Sequence, residues 1–295
     1  MSDLPVPDPN AKFRNQALDI QHDTDPAQDH GIARRIPHLG HALLFFLLAL
    51  TFLFTASAGL LLVLHTLSAT VILQHPFAAI MSQIVAYALT FAVAIPVFSM
   101  LWGRSFADGI NWTWRAARLR WWQLLMLGCM LSIVAQLLEH LVKNPVTTDI
   151  TKLLATPQAA WLTVFFGIFI APVSEEIAFR GFLLPALATA YDWLALERTP
   201  AGRDRWQRSA DHTRGALFFA ALLSSVPFVA LHGSQLHWAH GPLAILFVMS
   251  LIFSAIRIQT RSVAASSLVH LAYDALIFIE VIIATHGFHH LDKLM

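Results

Sequence analysis

Seven stretches of this chain are apolar all round rather than on one face. They run at about 40–66, 77–101, 121–142, 160–188, 215–236, 242–257 and 263–285, and runs of this length with few charges predict bilayer-crossing helices. The alternating ten-residue segments that build a membrane barrel do not occur. The expected fold is therefore all-α, a polytopic bundle of about seven transmembrane helices. The sixth run is short, and Gly241-Pro242 supplies its start, with proline where a missing N–H costs nothing.

Charge in the connections orients the bundle. Lys12, Arg14, Arg34 and Arg35 precede the first run, and Arg104, Arg115, Arg118 and Arg120 follow the second. Arg198, Arg203, Arg205, Arg208 and Arg214 follow the fourth, and Arg257 and Arg261 follow the sixth. With seven spans all of these fall on one side, against Lys143, Lys152 and Lys293 on the other. The bias predicts an N-terminus in the cytoplasm. Trp102, Trp112, Trp114, Trp121 and Trp122 interleave with Arg115, Arg118 and Arg120, which suits a short interfacial helix at the headgroups.

Composition agrees with a membrane protein: 57% of the 295 residues are hydrophobic and 13% charged, where a soluble domain carries about a quarter. One cysteine, Cys129, excludes an intramolecular disulfide and a cysteine-rich metal site, and reads as a small buried hydrophobe. Residues 1–38 are polar, show no secretory signal, and read as a disordered cytoplasmic tail. The expected division continues with N-terminal transmembrane helices and the Trp/Arg segment over 39–150, a transmembrane core over 151–285, and a tail over 286–295.

The fourth run contains Glu175, Glu176 and Arg180, in a setting where each carboxylate costs about 3 kcal/mol on insertion scales. Glu176 and Arg180 stand four apart, in the favourable order for an ion pair on one face. Glu175 lies about 100° around the helix and has no local partner, which makes it a candidate general base. Pro172 weakens the helix and is expected to leave carbonyls free to line a polar cavity. A pair that merely ties helices together would explain Glu176 and Arg180 but not Glu175. In the fifth run, Phe228 stands one turn before His232; such a histidine is commonly a packing residue. In the seventh, His270 and Asp274 share a face, able to orient an imidazole, bind a metal or hold an oxyanion. On ideal helices Glu175 and His270 fall in the cytoplasmic half, whereas His232 falls nearer the opposite face.

Three motifs in order resemble those of the CPBP family, the CAAX-protease and bacteriocin-processing membrane proteins that include the type II CAAX prenyl endopeptidases. Glu175-Glu176-Ile-Ala-Phe-Arg180 matches EExxxR, Phe228 to His232 matches FxxxH, and His270 to Asp274 matches the HxxxN/D pattern. The resemblance covers about residues 155–285. It implies an intramembrane endopeptidase in which Glu175 activates water with help from His232, while His270 and residue 274 stabilise the oxyanion. Glu176, Arg180 and Phe228 would support them. The prenyl endopeptidases carry Asn at the last position, and an ionised Asp274 cannot donate a hydrogen bond. It would be protonated, orient His270 or bind metal. The family has also been described as metal-dependent, and Glu175, His232 and His270 would make a His₂Glu zinc site. Cofactor need is thus none or a divalent metal such as zinc.

The partners expected are the lipid bilayer and a membrane-associated protein or peptide, lipidated or carrying a hydrophobic C-terminal tag, and no nucleic acid. The setting expected is a bacterial inner membrane. Two other readings stand beside the protease: a non-catalytic immunity or scaffold protein of the same fold, and a proton- or ion-coupled transporter. The transporter lacks the repeated halves usual for its class. Lesser polar groups read as ordinary: a Glu139–Lys143 pair, Ser234, Gln235, His237 and His240 after the fifth run, Glu280, and His286, His289 and His290 near the end.

Overall fold

Each long apolar run becomes a helix, because a helix satisfies every backbone N–H and C=O internally where no water can. The structure, a computed structural model, describes residues 35–66, 68, 74–142 and 153–291. Residues 1–34 of the expected tail, Lys143 of the Glu139 pair, Lys152, and Lys293 in the C-terminal tail lie outside the described residues. In order come α1 (Leu39–Val63), α2 (Pro76–Trp102), α3 (Phe106–Gly109), α4 (Trp114–Leu119) and α5 (Trp121–Leu141). They are followed by α6 (Pro157–Leu194), α7 (Pro200–Arg208), α8 (Arg214–Leu231), α9 (His240–Thr260) and α10 (Val263–Ala284). No strand occurs among the described residues. Seven helices (α1, α2, α5, α6, α8, α9 and α10) are long and apolar enough to cross a membrane, and this is an integral membrane protein.

Local chemistry sets many of the ends. Thr156, Thr199, Thr213 and Ser262 each cap a helix by accepting a backbone N–H, and proline opens α2, α6 and α7 where its missing donor is harmless. The sixth span is not short. Its helix runs from His240 through Arg257 to Thr260, and ends where Arg261 turns left-handed at φ 52°. Arg257 is therefore no loop charge: it is buried inside the span. The fifth span ends earlier than hydropathy predicts, at Leu231, with His232 at its C-cap.

α6 is the irregular element. Its 38 residues alternate α and π geometry, with π turns at Phe166–Ile170 and Ile177–Leu183 on either side of a single α segment, Ala171–Glu176. Each π turn ends two residues before a proline, Pro172 and Pro185. Proline cannot donate and its ring clashes with the carbonyl four residues back; widening the turn relieves both. Pro172 thus widens the helix rather than breaking it, and the only α-helical stretch between the two bulges carries Glu175 and Glu176.

Around α6, the rings of Phe45, Phe98 and Trp102 close over Phe182, with Phe45 and Phe182 stacked at 4.3 Å, which fastens α1 and α2 to the second π turn. On the other side α5 lies tight against α10. A Cβ on Gly128 would strike the carbonyl oxygen of Val269 and the Cβ of Ala272, so the closest approach depends on that glycine. Residues 196–211 form a separate small unit containing α7, whose Arg205–Glu197 and Arg208–Asp204 pairs are exposed and worth little.

One polar tie sets the register of α6 against α8. Asp192 is buried, accepts from the Thr213 hydroxyl at 2.7 Å, and contacts His212 Nδ1 at 3.0 Å. From this tie, the helix back to Glu175 and the helix forward to His232 have nearly equal lengths, about 26 and 28 Å. Equal lengths bring the two side chains to one level, which overturns the depth mismatch expected for His232. Asp192→Ala should cost about 1–3 kcal/mol and lower the melting temperature in detergent micelles, since it leaves the capping hydroxyl without its acceptor.

Candidate active site

The site is built from the bottom of a polar stack upward. Glu176 and Arg180 are both fully buried, one helical turn apart, with Glu176 Oε1 3.0 Å from Arg180 Nη1. The other guanidinium nitrogen, Nη2, donates to the Ser250 carbonyl and hydroxyl, each at 2.8 Å, and the Ser250 hydroxyl in turn donates to Ser225 Oγ at 2.8 Å. One arginine thereby joins α6, α9 and α8. The Phe228 ring covers the guanidinium at 4.6 Å, and Phe253 at 5.5 Å, the arrangement in which a ring face attracts a cation.

Glu176 also holds the next layer. Its Oε1 lies 3.1 Å from His270 Nδ1, and a carboxylate there makes Nδ1 the donor. The ring is further fixed by stacking on Phe253 at 4.5 Å. His232 is held in the same way by a different acceptor: its Nδ1 is 2.9 Å from the Phe228 carbonyl oxygen, which can only accept. Both imidazoles therefore carry their Nδ1 proton toward the protein and turn Nε2 the other way.

Glu175 stands where the two Nε2 atoms point. His232 Nε2 is 4.0 Å from Glu175 Oε1, and His270 Nε2 is 3.9 Å from Oε2. Asp274 Oδ2 completes the group at 3.5 Å from His270 Nε2. Glu175, His232 and Asp274 keep about a fifth of their side-chain surface open, unlike Glu176 and Arg180 beneath them. The two adjacent glutamates have thus been sorted: one is locked in a buried ion pair, the other faces an opening between two oriented imidazoles.

All four residues expected to be catalytic are gathered here, with Glu176, Arg180 and Phe228 directly behind them. The family comparison agrees with this geometry. Residues 157–276 match the family described as type II CAAX prenyl endopeptidase Rce1-like. The likeness to that family spans about two fifths of the chain. The match encloses Glu175, His232, His270 and Asp274, and the family is one of intramembrane endopeptidases. Comparison with curated proteins and with solved structures found no match.

Zinc requires donors at about 2.0–2.1 Å, which places two ligands of one tetrahedral ion about 3.3 Å apart. The Glu175 carboxylate and its two imidazoles are spaced more widely, and no group of three such side chains among the described residues could hold a metal ion. Their chemistry would suit zinc but their spacing does not, so no catalytic step is routed through a metal here.

Ser250, Phe253 and Tyr87 carry no signal in the sequence. Tyr87 of α2 interacts electrostatically with Glu175 and packs against Phe166. Serine and phenylalanine in an apolar run look ordinary, and only the crossing of α9 over α6 gives them their partners. The polar residues after α8 lie on a turn over 232–238 and up to the start of α9. Glu280 accepts from Gln136 at 3.3 Å, and His286 and His290 pack on each other beyond α10. Cys129 is half-buried in α5.

Removing one member of a buried ion pair leaves the other uncompensated. Arg180→Ala should therefore destabilise the domain by about 3–5 kcal/mol, read as early unfolding or loss of the monodisperse protein in micelles.

Proposed function

We infer that this protein hydrolyses a peptide bond in a membrane-associated protein or peptide, using water activated by Glu175. The observation that carries this reading is the Glu175 carboxylate between two imidazole Nε2 atoms at 3.9 and 4.0 Å. A carboxylate and ring nitrogens at that separation are too far apart for a direct hydrogen bond and suited to sharing one water. Glu175 takes a proton from that water as its oxygen attacks the scissile carbonyl, and later delivers it to the leaving amine. His232 positions the water from the side opposite His270.

The tetrahedral oxyanion needs donors. His270 supplies one from Nε2 in its doubly protonated form, while Glu176 holds its other nitrogen at 3.1 Å. Asp274, one helical turn on and 3.5 Å from Nε2, orients that ring. Glu176 and Arg180 hold the platform. No serine or cysteine stands in the group, in keeping with direct attack by water over an acyl-enzyme.

The excess of Arg and Lys in the connections on one side supports an N-terminus in the cytoplasm, and the proposed setting is a bacterial inner membrane. The substrate is a protein tail processed near its C-terminus, lipidated or carrying a hydrophobic tag, in line with the family's prenyl-peptide description.

The test compares protein termini by mass spectrometry in host membranes containing the wild type or Glu175→Gln at equal levels. Termini formed by the wild type should fall by about 10²–10⁴ in rate in the variant, the contribution of a positioned base. Identical termini in both would overturn the protease reading in favour of a non-catalytic membrane protein of this fold.

A further inference from the structure

Arg257 is a buried cation that the chemistry above does not use. It is 7% exposed, three residues from the end of α9, and its Nε is buried without a hydrogen-bond partner. No hydrogen bond or ion pair engages it among the described residues, in contrast to Arg180, which has Glu176, Ser250 and two rings. The acidic charge it feels is Glu176, already matched by Arg180 at 3.0 Å. A guanidinium withdrawn from water and left unpaired is costly unless an anion reaches it in the working state.

Its position says which anion. α9 and α10 form an antiparallel hairpin that turns at Arg261 and Ser262, so Arg257 lies level with Ser266, whose hydroxyl is beside Glu176. His270 lies one turn farther from that hairpin turn, an axial offset of about 6 Å. An extended peptide covers about 3.3 Å per residue, so a chain running from His270 toward the hairpin turn spans that axial offset in about two residues.

We propose that Arg257 binds the free C-terminal carboxylate of the substrate and so fixes cleavage a short, constant distance from the chain end. This rests on the peptidase reading and assigns its specificity. A planar guanidinium accepts a carboxylate in two parallel hydrogen bonds, which a neutral C-terminal amide cannot reproduce.

The experiment takes the peptides whose cleavage in membranes depends on Glu175 and synthesises each as the free acid and as the C-terminal amide. Purified full-length protein in micelles should prefer the acid by at least tenfold in kcat/KM, chiefly through KM. Arg257→Gln should bring that ratio near one, and Arg257→Lys should restore part of it. A wild type that cuts acid and amide alike overturns the proposal, and that result does not depend on any variant folding. So does a folded Arg257→Gln protein that keeps the preference, since a counter-ion to Glu176 would slow both peptides equally. Glu175-dependent cuts scattered far from chain ends also overturn it, while leaving the peptidase reading intact. Absence of any Glu175-dependent cut removes the peptidase reading and this assignment together.

Discussion

A carboxylate and a guanidinium with no exposed surface, inside a bundle meant for lipid, constrain everything near them. Glu176 and Arg180 each have further partners in fixed positions: His270 for the acid, Ser250 and two aromatic faces for the base. Those partners come from α8, α9 and α10. The pair is weak evidence of stability, because desolvation offsets much of the attraction. Its effect is geometric. Four helices are held at one level, and the imidazole of His270 is turned so that its free nitrogen faces Glu175.

Irregular backbone makes this possible. Both π turns of α6 run into prolines, and the α segment between them is six residues long. Within that segment consecutive glutamates point about 100° apart. One enters the packed side of the bundle while the other meets the opening, so two chemically identical side chains acquire different work from one peptide unit of displacement. The tie at Asp192 does for α8 what the ion pair does for α9 and α10, matching helix lengths so that His232 arrives at the height of Glu175.

Much of the site was legible in the sequence for one reason: ionisable groups are so expensive in hydrocarbon that Glu175, Glu176, Arg180, His270 and Asp274 stand out against apolar runs. The motif spacings then grouped them, and the Rce1-like match over residues 157–276 bears out the resemblance. Hydropathy misled where charge or length was ambiguous. Arg257 looked like the end of a short span because a charge usually is one, yet the helix continues past it. The depth of His232 is hidden from hydropathy because the register of α8 against α6 is fixed at its first turn by the Asp192–Thr213 contact. Ser250 was invisible, since a serine in an apolar helix gains meaning only from the arginine that crosses it. Pro172 announced a distortion correctly but not its form.

The central claim is that Glu176 holds the structure and Glu175 performs the reaction. Thermal unfolding of Glu175→Gln and Glu176→Gln, measured side by side in the same micelles, tests it most directly. Glu175→Gln should unfold close to the wild-type temperature, while Glu176→Gln, which strands a buried arginine, should unfold well below it. Equal losses in both, or a greater loss for Glu175→Gln, would contradict the division of labour on which the account stands.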